Sequence, residues 1–328
     1  MARKIAIDIG QANVRIYEKE KGLVIHDKCV LALDTSTKEI KAVGEDAYKM
    51  IGRLPGKIKC IQPLENGVIA DFEAASMLLN EYFKKSHLNS SFLRPEIYLS
   101  YPINSTEVIK TAYRDLGESL ESKKVVLVED IYAASLGVGF DMDKSQASFI
   151  MNIGSGITSM AIVSMNSILK AKSISVAGSK FNSSIREFIK QNHHLLIGDI
   201  AIENIKVNLV NLDRADKSVT EKISGRDLIS GLPTVITVTQ VEMSKAIKED
   251  VEFLVKEIKN FLEEIDPSAL EDILDSGLVI SGESAKLTGL ISYLKKELKI
   301  PVLMAESPET AIIDGLVRKM DGSIVKDN

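Results

Sequence analysis

Apolar and polar positions along this chain follow two periods that repeatedly exchange places. Ile5 to Ile7 and Val14 to Tyr17 read as strands on either side of a turn at Gly10. From Ala70 to Phe83 apolar residues recur at helical spacing, and Glu96 to Tyr101 returns to a strand pattern. Asn104 is placed to cap a following helix, with Glu107 three residues later in capping-box spacing. Val125 to Val128 is a short apolar strand, followed by a small-residue helix through Ala133, Ala134 and Leu136. Strands alternating with helices predict an α/β architecture.

The pattern then restarts. Residues 147–163, "ASFIMNIGSGITSMAIV", echo residues 3–17, "RKIAIDIGQANVRIY": an apolar strand, Asp8 or Asn152, Ile-Gly, a turn and a second strand. The echo predicts two similarly built halves divided near "MDKSQA" (142–147). They are a lobe over 1–146 with a small subdomain at about 30–70, and a lobe over 147–328 with one at about 180–240. Val241, Ile247, Val251, Leu254, Val255, Ile258, Phe261 and Leu262 predict one long amphipathic core helix. Gly277 to Ile280 reads as a buried strand, "SGESAKLTGL" as a helix, and Val302 to Met304 as a strand. Pro308 suits the first turn of a last helix, and the tail from 321 is polar.

Composition narrows the classes. With 328 residues and 45% hydrophobic content the chain is globular, and a net charge of −5 gives no basic face for nucleic acid. Cys29 and Cys60 are too few for a disulfide framework or a four-ligand zinc site, which fits a reducing cytosol. The start, "MARKIAIDIG", has no signal-peptide pattern, and no run is long enough to predict a membrane span. His193-His194 lacks companion ligands and reads as a helix end or surface pair.

The candidate chemistry lies in the turns. A glycine hairpin that presents successive N–H groups makes a concave phosphate site, although either hairpin alone reads more readily as an ordinary turn. Asp8 is placed to hold Mg²⁺ through water. Glu203 and Lys206, three apart on a predicted helix, share a face and suit ribose hydroxyls and an adenine edge; alone they read as a surface pair. Gly282, Glu283, Ser284 and Ala285 join a buried strand to a helix with side chains small enough for a flat base.

The order hairpin, helix, hairpin, Glu-x-x-Lys helix and strand–glycine turn–helix resembles the actin, heat-shock chaperone and sugar kinase superfamily. Within it the chain resembles MreB, the bacterial actin homologue, over nearly its whole length. The resemblance rests on "DIGQANVRIY", "AVGEDAYKMIGRLPGKI", "PLENGVIADFEAA", "VEDIYAASLG", "NIGSGITSMAIVSMNSI", "ENIKVNLVN", "SGRDLISGLP" and "ESPETAIIDG". It implies an actin-like α/β fold: two lobes, each with a duplicated ribonuclease H-like core, small inserted subdomains and a cleft between them. The cleft would take ATP or ADP with Mg²⁺. The implied contacts are Gly10, Gln11, Ala12, Asn13 and Val14; Gly154, Ser155, Gly156, Ile157 and Thr158; Gly178; Glu203 and Lys206; and the 282–285 turn. Asp8 and Asn152 would face the metal through water.

The resemblance also implies filaments beneath the cell membrane that organise cell shape, in a cytoplasmic protein with self as partner and no nucleic acid. Related filament proteins are candidate partners. Phe92 and Leu93 in "SSFLRP" match the place where relatives insert apolar side chains into lipid; the alternative is packing back onto the core.

Departures from the family pattern concentrate on metal and water handling. Asp130 stands where a glutamate orients the attacking water, Asn152 where an aspartate faces the metal, and Ile157 where a threonine hydroxyl holds the water. Thr158 remains but should point the other way along an extended strand. Gln11 and Val14 replace threonines, Glu283 and Ser284 replace glycines, and Ser179, Lys180 and Asn182 replace an acidic set near the sugar. The expectation is nucleotide binding with slow or lost hydrolysis. Two alternatives are a competent ATPase whose turnover drives disassembly, and a non-polymerising regulator of related filaments.

Overall fold

The computed structural model describes residues 3–89 and 94–322. Phe92 and Leu93 lie outside the described residues, as do positions 323–328 of the polar tail. The strands are β1 (Lys4–Ile9), β2 (Asn13–Glu18), β3 (Gly22–Lys28), β4 (Leu31–Asp34), β5 (Ile40–Val43), β6 (Ile58–Ile61), β7 (Leu64–Glu65), β8 (Val68–Ile69), β9 (Glu96–Tyr101), β10 (Lys124–Glu129), β11 (Ser148–Ile153), β12 (Thr158–Ser164), β13 (Ser167–Ile174), β14 (Leu195–Leu196), β15 (Thr220–Asp227), β16 (Pro233–Thr239), β17 (Leu278–Ser281) and β18 (Val302–Met304). The helices are α1 (Glu45–Met50), α2 (Phe72–Lys85), α3 (Glu107–Glu118), α4 (Asp130–Gly137), α5 (Gly178–His193), α6 (Asp199–Leu209), α7 (Gln240–Ala246), α8 (Lys248–Glu263), α9 (Pro267–Ser276), α10 (Leu290–Leu298) and α11 (Ala311–Met320).

Two five-stranded sheets carry the same topology. One runs β3-β2-β1-β9-β10 and the other β13-β12-β11-β17-β18. In each, an antiparallel three-strand meander is extended by two parallel strands. Strands buried on both faces explain the near-continuous apolar runs of β1 and β11. Small sheets β5-β4-β6 and β14-β15-β16 branch from the first and second lobe.

The lobes join through two closely packed helices. α4 packs Ile131, Ala134 and Leu136 with Ile150 and Ala161 of the second sheet. α11 sends Ile313 and Leu316 back against Ala6 and Val128 of the first. Their backbones touch where a side chain has no room: a Cβ on Gly315 would fall 1.7 Å from the Ala133 carbonyl oxygen, and one on Gly137 1.8 Å from that of Ala311. Each helix thus packs against both sheets and lies at the floor of the cleft between the lobes.

Local details correct the sequence reading at four points. Asn104 adopts φ +61 in the preceding turn, and Thr106 caps α3 by accepting from the Ile109 amide. The long helix is broken at the buried Ile247, which ends α7 and begins α8. Residues 283–286 form a single 3-10 turn, and α10 begins only after Gly289 at φ +81. Pro308 precedes the Thr310 cap of α11, and its carbonyl accepts the Gly282 amide at 2.7 Å. His193 and His194 end α5, with His193 against Glu242 at 3.1 Å.

Candidate functional site: a cleft between two glycine hairpins

The β1–β2 and β11–β12 hairpins close in the same way, with Gly10 donating to the Asn13 carbonyl at 2.9 Å and Gly154 to that of Ile157 at 3.0 Å. They face each other across the cleft. The Gln11 amide donates to the Ser179 hydroxyl at 3.0 Å, while its carbonyl oxygen accepts the Asn66 N–H at 2.9 Å. The Asn13 amide donates to Glu283.

Two cavities meet at Gln11, Ala12, Ser155 and Glu283. The larger, about 560 Å³, is lined by Lys28, Tyr48, Gly178, Asn182, Glu203, Lys206 and Ser284 among others. Its size and mixed polarity suit a nucleoside. The smaller, about 110 Å³, ends among Asp8, Gly10, Asn13, Arg15, Asp130, Asn152, Gly154, Gly156, Ile157, Gly282 and Glu309.

In the larger cavity, α6 presents Glu203 and Lys206 on one face, 2.9 Å apart. Burial alone would raise the Glu203 carboxyl, but the Lys206 ammonium and the Asn182 amide over-compensate and hold it below its ordinary value. Lys206 also donates to the Gly178 carbonyl at 3.3 Å. Gly282 turns the chain at φ +88, and the Ser284 hydroxyl donates to the Gly154 carbonyl at 2.8 Å, tying the base turn to the second hairpin.

In the smaller cavity, the second-to-last residue of each hairpin's first strand is flanked by two others. Asp8 receives the Ser100 hydroxyl at 3.0 Å and the Arg15 guanidinium at 3.3 Å. Asn152 accepts the Ser281 hydroxyl at 3.0 Å and lies opposite Ser159 in the ladder. Asp130, the first residue of α4, has both oxygens occupied. Oδ1 accepts the Ile103 and Ile131 amides at 2.9 and 2.7 Å, and Oδ2 accepts the Ser159 hydroxyl at 2.9 Å. Burial pushes this carboxyl up to about 6 against the pull of those three donors. Ile157 fills the space beneath Gly67 of the other lobe, its Cδ1 2.7 Å from where a Cβ there would sit.

Three expected contacts line neither cavity. Thr158 donates to the Val176 carbonyl at 2.6 Å, on the opposite face of its strand from Ile157. Val14 and Ala285 are core residues. Sequence reasoning missed Arg15, Ser100, Ser159 and Glu309. For Arg15 a signal existed: a charged residue between apolar neighbours in a strand buried on both faces.

For a metal the donors are sparse. No group of three or more His, Cys, Asp or Glu among the described residues is placed to hold an ion. Asp8 alone offers a carboxylate in hairpin position, shared with Arg15, while Asn152 is neutral. The cleft therefore fits a phosphate chain bounded by amides better than a protein-held cation.

Two lobes of one topology, joined by two packed helices around a cleft of glycine hairpins, define an actin-like protein. The family model described as MreB/Mbl protein matches residues 2–325, and the chain belongs to the MreB/Mbl family. It is 38% identical over 314 residues to the cell shape-determining protein Mbl of Bacillus subtilis (strain 168), covering 96% of this chain and 94% of Mbl. It is 33% identical over 317 residues to the cell shape-determining protein MreB of Escherichia coli (strain K12), covering 95% and 91%. The crystal structure of MreB 5 of Spiroplasma citri bound to AMPPNP superposes with a TM-score of 0.92 at 28% identity, over 98% of this chain and 96% of that one. A MamK double helical filament shares the fold, with a TM-score of 0.82 at 16% identity over 98% and 99%.

Proposed function

We propose that this chain binds ATP and ADP between its hairpins and assembles with itself into filaments that support cell shape, while hydrolysing nucleotide slowly. The carrying observation is the pair of adjoining cavities, sharing Gln11, Ala12, Ser155 and Glu283, that reach from the Glu203–Lys206 face of α6 to the two hairpin turns. Further support comes from relatives of the same fold bound to AMPPNP and ADP. Filament assembly is supported by family membership and by the shared fold of a filament-forming protein. We place the protein in the cytoplasm, at the inner face of the membrane; no helix among the described residues is long and apolar enough to cross one.

The mechanism of holding follows from this chain's own groups. The nucleoside lies along α6, with Glu203 as acceptor for ribose hydroxyls and Lys206 fixing that carboxylate. The phosphates meet the amides of the two turns, whose donors are fixed before the ligand arrives. Asp8 is the hairpin carboxylate that would hold magnesium through water, and the ion would supply charge neutralisation on the phosphate oxygens. Asp130 is the candidate for orienting water, but its oxygens already serve three protein donors, and Ile157 offers no hydroxyl. These two features support slow hydrolysis.

A second reading, a competent ATPase, is favoured by one observation. A carboxyl pushed up to about 6 is closer to the range in which a general base works than an ordinary aspartate. Two measurements test the proposal: calorimetric titration with ATP and ADP, and phosphate release from the purified chain. Heat of association with negligible phosphate release supports the first reading. No heat overturns the binding assignment, and release at the rate of ordinary family members supports the second.

A further inference from the structure

Arg15 is an ionised side chain in an unusual place. It sits inside β2 with its side chain 7% exposed, and its guanidinium lines the phosphate end of the cleft. Its ion-pair partner there is Asp8, through a single contact at 3.3 Å, while Glu309 of the same lining feels its charge without a direct contact. Its Nε is buried with no hydrogen-bond partner. A guanidinium carries five donors in a fixed fork, so one long contact leaves most of its capacity unused. A buried charge in that condition calls for a second anion.

The pseudo-symmetry of the chain makes the placement informative. The Asp8↔Arg15 pair of the first ladder corresponds to Asn152↔Ser159 in the second. One hairpin thus pairs its carboxylate with a fixed cation, and the other has no charge at either position. Together these four side chains are neutral overall. The other carboxylates of the lining are engaged by protein groups: Asp130 by three donors, Glu283 by the Asn13 amide and Glu309 by Lys286. A phosphate entering here meets backbone amides, a neutral Asn152 and a guanidinium with donors to spare.

Resting on the nucleotide reading above, we propose that Arg15 is a phosphate-binding residue. It supplies from within the protein the positive charge that a divalent cation otherwise brings, so the cleft takes uncomplexed nucleoside triphosphate nearly as well as the magnesium complex. Arginine is suited to this because it stays charged when buried and its fork matches a phosphate's paired oxygens.

The test is calorimetric titration of the full chain with ATP, in excess magnesium and in EDTA, with AMP as a ligand that lacks the terminal phosphates. The wild-type affinities for ATP should lie within about threefold of each other in the two conditions. Arg15→Met should lose about tenfold or more in EDTA, the scale of one charge-assisted hydrogen bond, and less in magnesium, while AMP affinity stays unchanged. Arg15→Lys, which keeps the charge and loses the fork, should give the same ordering with a smaller loss; it decides the matter if the Met variant does not fold. Equal losses in magnesium and EDTA, no loss in either, or a wild type that binds ATP only with magnesium would overturn the inference while leaving the nucleotide reading intact. A wild type that binds neither ATP nor AMP overturns both.

Discussion

Asp8 and Arg15, seven residues apart in the chain, meet at 3.3 Å across the β1–β2 ladder with both side chains buried. Desolvating two charges costs about as much as their attraction returns, so the pair contributes little net stability, yet removing one partner strands the other. Asp8→Ala should therefore destabilise the nucleotide-free protein by about 3 kcal/mol in urea unfolding. The double variant Asp8→Ala/Arg15→Leu should recover part of that loss. Additive losses would show that the two side chains do not act as a pair.

Asp130 gives a pH dependence with a defined sign. Its folded value of about 6 lies above the ordinary 3.8, so the folded state holds the proton more tightly. The stability this contributes is fully present below about pH 4 and is lost as pH rises through about 6. Asp130→Asn keeps an acceptor for the Ile103 and Ile131 amides and removes the buried charge. It should stabilise the protein at pH 8 by about 2 to 3 kcal/mol, with the gap closing toward pH 4. Thermal melts across that range check it; a gap that is constant or opposite in sign contradicts the assignment.

Two substitutions test the proposed slow hydrolysis. Asp130→Glu adds the methylene that lets a carboxylate extend past Ser159, and Ile157→Thr returns a hydroxyl beneath Gly67. The combined variant should release phosphate from ATP at least about tenfold faster than wild type, as expected when a nucleophile is better placed. No increase would mean that hydrolysis is limited elsewhere.

At the other end of the cleft, Lys206 fixes Glu203 at 2.9 Å. Lys206→Met should weaken ATP, ADP and AMP alike by about tenfold, with or without magnesium, because the lost contact is to the nucleoside side. A loss confined to ATP would place Lys206 against the phosphates instead.

Much of this architecture was readable from the chain because its signals are local. The glycine of each hairpin, the three-residue spacing of Glu203 and Lys206, and the glycine turn before Ser284 all report on a few neighbouring residues. What was not readable depends on parallel pairing between distant strands. Ser100 reaches Asp8 through the β1–β9 register, and Ser281 reaches Asn152 through β11–β17. The break at Ile247 was hidden because the apolar period runs through it without glycine or proline. The return of α11 to the first sheet leaves no mark in periodicity, since either sheet would bury the same stripe. Thr106 displaced Asn104 as the α3 cap because Asn104 was already committed to the left-handed turn before it.

In the proposed function the cleft grips a triphosphate with groups that do not themselves cleave it. The most direct test is to incubate the protein with stoichiometric ATP, isolate the complex by rapid gel filtration, and quantify the nucleotide it carries after an interval in which ordinary family members complete a turnover. Near-stoichiometric nucleotide should be recovered as intact ATP. Recovery of no nucleotide, or of ADP with an equal amount of released phosphate, would contradict it.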